Sequence, residues 1–244
     1  MQLDNCSQIF TLGPEGTFSD EAAQIIRGDG VIVTYTGTFA EALFRVTEDQ
    51  DSVAVVPIEN SVAGTVAQVQ DSMVSNKFLS KNLTEPQNQL TRSNVDSGIQ
   101  FLQAIKSDNG ALAAIVPASF ADSYPEWKVA NGIQDYHNNT TRFLVVRPRQ
   151  ENEEHDFSRK KTSLYVEFQE DRSGLLYELL SVFNLFQINL CRLESRPAKD
   201  TPWAYVFYVD FYNTEHTEAC LDVMRVTKFN YKVLGSYDLI DRLA

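Results

Sequence analysis

Two adjacent hydroxyls and a guanidinium stand at the mouth of an apolar run in "HNNTTRFLVV", His137 to Val146. Thr140 and Thr141 can each donate a hydrogen bond to a charged or departing oxygen. Arg142 offers a planar fork of donors that suits a carboxylate. Turn chemistry and a solvated or ion-paired arginine would use the same residues. In "VVPIENSVAGTV" a buried-strand pattern runs into Pro57, and Glu59, Asn60 and Ser61 follow together. Ligands of open α/β sheets sit outside the carboxyl ends of the strands, where these polar side chains fall. A helix cap at Asn60 or Ser61 is the competing use. In "TLGPEGTFSDEAA" Thr17, with Asp20 three residues on, fits the start of a capped helix whose free N–H groups, beside Gly16, also make an anion seat. Neither G-x-G-x-x-G nor a P-loop lysine is present. "LTEPQNQL" adds Gln87 in a proline-bearing turn.

The elements that must position these groups fall into two halves. The first alternates: "QIFTL" and "VIVTY" read as strands, "FAEALFRVTED" as a helix with Phe39, Leu43 and Val46 on one face, and "SVAVVPI", "LAAIV" (Leu112 to Val116) and "RFLVV" as buried strands. Val- and Ile-rich strands separated by helices imply a mostly parallel sheet. Ser75 to Val95 is polar and has no convincing period. "RPRQENEEHDFSRKK" is charged and aperiodic, a linker. Beyond it, "TSLYVEF", "INLCRLES", "AYVFYVDFY" and "YKVLGSY" read as strands, and the segments around Leu179 and Leu221 as helices. Their order, β-α-β-β-α-β, is that of the ferredoxin-like unit. The division is residues 1–147, a linker over 148–160, and residues 161–244.

A chain of 244 residues, 43% hydrophobic and 22% charged, is long enough for a substantial core. A net charge of −12 argues against nucleic-acid binding, because phosphate contact needs a basic footprint. An anion site on such a chain must be built locally, from arginines and backbone N–H groups. No apolar run reaches the length of a membrane span, and no secretory signal is visible, so a cytoplasmic protein is expected. The cysteines, Cys6, Cys191 and Cys220, are far apart, and the three histidines lack metal-ligand spacing. Neither a metal nor a cofactor is expected.

Together, "GPEGTFS", "VPIENSVAGTV", "NNTTRFLVV" and "RLESRP", in that order and followed by "PWAYVFYVD", resemble the prephenate dehydratase family with its C-terminal ACT regulatory domain. The resemblance implies an α/β protein: a two-subdomain catalytic part like a periplasmic binding protein, then a ferredoxin-like βαββαβ ACT domain. It implies cofactor-free conversion of prephenate to phenylpyruvate in phenylalanine biosynthesis. By resemblance Thr141 is the catalytic hydroxyl at the leaving oxygen, and Arg142 a fixed positive charge acting directly or by organising the site. Thr17, Asn60, Ser61, Gln87, Thr140 and Phe143 are substrate-binding. Gly174, Leu175, Leu176, Tyr177, Glu194, Ser195, Arg196 and Pro197 form the phenylalanine effector site, in a homodimer or homotetramer. Between Val74 and Val95 the chain is shorter than the family, lacking the strand that crosses between subdomains. There Glu85 replaces a histidine within "TEPQ", and, in the regulatory half, Leu175 replaces a usually small residue. An arogenate dehydratase, and a ligand sensor with reduced catalysis, are the alternatives.

Overall fold

The computed structural model describes residues 6–75, 78–84, 114–122, 124–125, 129–148, 153–168, 172–198, 204–227 and 229–240. They divide into two compact units. One holds residues 1–77, 83–148 and 240–244, the other residues 78–82 and 149–239.

The first unit opens with β1 (Gln8–Leu12), α1 (Phe18–Ile26), β2 (Ile32–Thr36), α2 (Phe39–Glu48) and β3 (Ser52–Asn60). β1 pairs in parallel with both β2 and β3, so each helix serves as a crossover between parallel strands. β4 (Gly64–Thr65), α3 (Ala67–Ser75), α4 (Ala118–Asp122) and β6 (Thr141–Pro148) follow, with β5 (Phe78–Thr84) between α3 and α4 in the chain. Seven consecutive residues of β3 are buried, which requires cover on both faces. On one face α1 supplies Ala22, Ala23 and Ile26 to a core shared with Ile9, Val53, Val55, Phe143 and Val145. By strand alternation Ala54, Val56, Leu144 and Val146 point to the other face. There α2, with Ala42, Leu43 and Val46 buried, meets β1, β3 and β6.

Three expectations change. β6 runs antiparallel to β3, so the sheet is mixed. A buried strand is apolar in either direction, and its sequence carries no arrow. The strand expected over Leu112 to Val116 is absent over its described part, Ala114 to Val116, which forms neither helix nor strand. A short apolar run does not by itself name its partner. Finally, β5 occupies the stretch that lacks periodicity and was expected to lack its strand. Strand hydrogen bonds come from the backbone, and they form without an alternating pattern when neighbouring strands supply partners.

Among the described residues of this unit, one side chain breaks the rule that buried polar groups are bonded. Gln70 of α3 is 1% exposed, and neither its Nε2 nor its Oε1 has a partner among the described residues. A buried amide left unbonded destabilises by about 1–3 kcal/mol. Gln70→Met keeps an unbranched chain of similar length and removes both polar atoms. Its expected effect is a rise of about 2–4 °C in Tm, read by calorimetry, for each kcal/mol recovered. A fall in Tm would show that the amide is bonded in solution.

The second unit contains β7 (Lys161–Glu167), α5 (Leu175–Leu185), β8 (Leu190–Pro197), β9 (Tyr205–Tyr212), α6 (Thr217–Val226) and β10 (Asn230–Ile240). The order β10-β7-β9-β8, antiparallel throughout, is the ferredoxin-like split βαββαβ arrangement expected from the sequence. Leu179, Val182 and Phe183 of α5 and Cys220, Leu221 and Met224 of α6 pack with Leu164, Val166, Val209 and Phe211 of the sheet. Burial raises the Cys220 thiol pKa to about 11, so this sulfur is an inert core atom. No helix among the described residues is long and apolar enough to cross a membrane.

Candidate active site

The carboxyl ends of β1, β2 and β3 lie along one edge of the first sheet. Antiparallel β6 brings its amino end to that same edge. The segments 13–17, 37–38, the turn 61–63 and residues 138–140 therefore lie at that edge. The remote motifs "PIENS" and "NNTTR" face each other directly, with Asn60 opposite Thr141 and Glu59 opposite Arg142 in the ladder.

A β-bulge decides which residue meets which. Val55 pairs with Val145 and Pro57 with Phe143, but then the register slips, and Glu59 pairs with Arg142. Ile58 is the additional residue. In a regular ladder Glu59 would lie opposite Thr141, on the face of Val55 and Phe143. The bulge re-aims the chain so that Asn60 takes that place and Glu59 turns to the opposite face. An amide, not a carboxylate, therefore meets the Thr141 hydroxyl.

The hydrogen bonds of Asn60 leave no freedom in its orientation. Its Oδ1 accepts from the backbone N–H of Val62 at 2.9 Å and of Ala63 at 2.8 Å. Its Nδ2 must then be the atom that donates to Asn139 Oδ1 at 2.6 Å and to Thr141 Oγ1 at 2.9 Å. Thr141 thus receives a hydrogen bond from Asn60, and the single hydroxyl proton points elsewhere. A hydroxyl that accepts one bond is polarised into a better donor of another. Ser61 stitches the two loops together: its N–H donates to Thr140 O at 2.8 Å, and its Oγ accepts from Thr140 N at 2.9 Å. The helix cap weighed for Asn60 is not what forms: residues 61–63 are a turn leading into β4 and α3 begins only at Ala67, so Asn60 closes that turn, and the same side chain also serves Thr141.

Arg142 stands on the opposite face from Thr141. Its Nη1 donates to Glu59 Oε2 at 2.7 Å, and both side chains are partly exposed. The ion-paired use of the arginine is the one observed, so its charge is balanced locally and does not stand free beside the hydroxyl. Phe143 is 1% exposed and sits in the α1-side core, so its side chain supports the strand from beneath. Thr17 is 4% exposed and is the N-cap of α1. Its hydroxyl accepts from Asp20 N at 3.3 Å and donates to Pro14 O at 3.0 Å, so its proton is committed to the fold. Gly16, at φ +85°, lies where an added Cβ would collide with the ring of Phe120. Gln87 lies outside the described residues.

A cavity of about 480 Å³ opens beside the start of α1, where Glu15, Asp20, Glu21 and Gln24 face Phe120 and Tyr124. Thr17 borders it, and Asn60, Thr141 and Arg142 do not. Burial, and then the charge of Asp20, raise the Glu21 carboxyl pKa above the usual range. Such acidic walls do not suit an anion. The candidate site is therefore placed at the Asn60–Thr141 contact, and not at the cavity. No group of His, Cys, Asp and Glu able to hold a metal ion occurs among the described residues.

In the second unit β7 and β8 both pair antiparallel with β9 and so run the same way. The start of α5, which follows β7, and the end of β8 therefore lie at one end of that sheet. Gly174 takes a left-handed φ of +92° as the N-cap of α5, and Tyr177 is exposed. Glu194 accepts from Arg192 Nη2 at 2.7 Å, and Arg192 also approaches Asp210 at 3.6 Å. Arg196 Nε is buried without a partner among the described residues.

One residue of the edge, Asn139, was absent from the sequence-based site, and it had a local signal. Asn139 precedes Thr141 by two, the spacing that places side chains on one side of an extended chain. Glu59 was grouped with Asn60 and Ser61 from the sequence, but its pairing with Arg142 across the strands has no local signal.

Comparison with known proteins agrees with this architecture. The family model described as Prephenate dehydratase matches residues 9–82 and 74–151. A prephenate dehydratase of Methanocaldococcus jannaschii is 30% identical over 97% of this chain and 100% of its own. The crystal structure of the prephenate dehydratase from Staphylococcus aureus superposes with a TM-score of 0.78 at 26% identity, over 94% of this chain and 99% of that one. A prephenate dehydratase from Arthrobacter aurescens, solved in complex with L-Phe, has a TM-score of 0.77 at 24% identity, over 95% and 89% of the two chains. With a family model over more than half its length and a relative matched end to end, this chain belongs to the prephenate dehydratase family.

Proposed function

We propose that the chain converts prephenate to phenylpyruvate, carbon dioxide and water, and that phenylalanine regulates it. The Asn60–Thr141 hydrogen bond carries this reading, because it leaves the Thr141 proton available to a departing oxygen. In the reaction the bond between the ring and its carboxylate breaks, and the electron pair moves into the ring. The ring hydroxyl leaves from the opposite carbon and takes up one proton to become water. Aromatisation supplies the driving force, so the protein's task is to hold the dianion and stabilise the oxygen as charge develops. A threonine is too weak an acid to give up its proton outright. It acts as a fixed donor whose bond strengthens as the C–O bond stretches. Arg142, paired with Glu59, organises the start of β6.

Catalysis is assigned to residues 1–147 and regulation to an ACT domain at 161–244, joined by 148–160. The ferredoxin-like second unit, the clustering of Gly174–Tyr177 and Glu194–Pro197 at one sheet end, and the L-Phe carried by the Arthrobacter protein support the regulatory part. A homodimer or homotetramer is the expected assembly. Purified protein mixed with prephenate should form phenylpyruvate, read by its enol absorbance in alkali, with arogenate run in parallel to settle the substrate. Saturating L-phenylalanine should lower that rate and raise Tm, an excess of 100 Kd contributing about 2.7 kcal/mol. Absence of phenylpyruvate would refute the activity, and an unmoved Tm would refute the effector site.

A further inference from the structure

We propose that Asn139 is a positioning residue for Thr141, acting through Asn60. Asn60 has two Nδ2 hydrogens. Asn139 Oδ1, at 2.6 Å, takes one of them, and Thr141 Oγ1, at 2.9 Å, takes the other. The two backbone bonds to Asn60 Oδ1 anchor that end of the amide but leave the tilt of the NH₂ group open. The Asn139 oxygen sets the tilt, because a planar NH₂ with one hydrogen held has its second direction fixed. Asn139 therefore determines from which side Thr141 accepts, and so the direction in which the threonine proton points. Its position suits the role: it precedes Thr141, the first residue of β6, by two and lies outside the packed core, so its side chain can be changed without opening a cavity.

The catalytic consequence rests on the dehydratase reading, and the test separates the two. Asn139→Leu removes the acceptor at similar size, whereas Asn139→Asp keeps an acceptor oxygen facing Asn60. Asn139→Leu is expected to lower kcat about 10-fold, with KM within about 2-fold of wild type and Tm unchanged. Asn139→Asp should restore kcat to within about 3-fold, with a higher KM from the added charge beside a dianion. In isotope-labelled protein, the Asn60 side-chain NH₂ should lose its protection from hydrogen exchange in the leucine variant and regain it in the aspartate variant. Wild-type kcat in Asn139→Leu, equal loss in both variants, or an unchanged Asn60 signal would each overturn the proposal. If wild-type protein makes no phenylpyruvate, the dehydratase reading falls, while the Asn60 signal still judges the Asn139 contact on its own.

Discussion

Thr141→Val should lower prephenate turnover by about 10²-fold or more while leaving KM within a small factor of wild type. Valine keeps the β-branched shape that suits a strand start and removes only the hydroxyl. Thr141 is partly exposed, so Asn60 can replace its lost partner with water, and little stability is lost. The interaction removed is one that grows as the C–O bond breaks. For that reason kcat and kcat/KM should fall together. Thr141→Ser restores the donor and should recover most of the rate. Steady-state kinetics on the two variants check the claim, and a valine variant with normal kcat would remove Thr141 from the mechanism.

Asn60→Asp should be at least as damaging as the loss of the hydroxyl, for a different reason. The carboxylate still accepts from Val62 N and Ala63 N, so the turn survives and the protein folds. The atom facing Thr141, however, changes from donor to acceptor. Thr141 then gives its proton to the introduced carboxylate and withholds it from the leaving oxygen, and the same carboxylate oxygen is left against Asn139 Oδ1. Turnover is expected to drop about 10²-fold near pH 7. As pH falls toward the carboxyl range, about 4 and higher beside acceptor oxygens, the introduced group takes up a proton and can donate again, and part of the rate should return. A rate–pH profile of the variant against wild type tests this. A variant that only loses activity as pH falls would show that the amide's direction of donation is irrelevant.

What was legible in the sequence was largely local. Strands with continuous apolar runs, such as Ser52–Asn60, and helices with one apolar face, such as Phe39–Glu48, declare themselves because their periods are set by residues a few positions apart. The capped start of α1 was legible for the same reason: Thr17 and Asp20 are three residues apart. The βαββαβ order of the second unit followed from the succession of such segments. The direction of β6 and the strand β5 did not, because pairing involves backbone groups far away along the chain, about which side-chain pattern is silent.

The candidate site divides along the same line. Sequence by itself determined which groups are available, a hydroxyl pair beside an arginine and an Asn-Ser turn after a buried strand, and it determined their family order. Only the tertiary structure decided that Asn60 meets Thr141, that Glu59 neutralises Arg142 on the other face, and that Phe143 is buried beneath them. The physical reason is the single unpaired residue of β3. Strand side chains alternate with period two, so one bulge between Pro57 and Glu59 exchanges an acid for an amide opposite a threonine some eighty positions away.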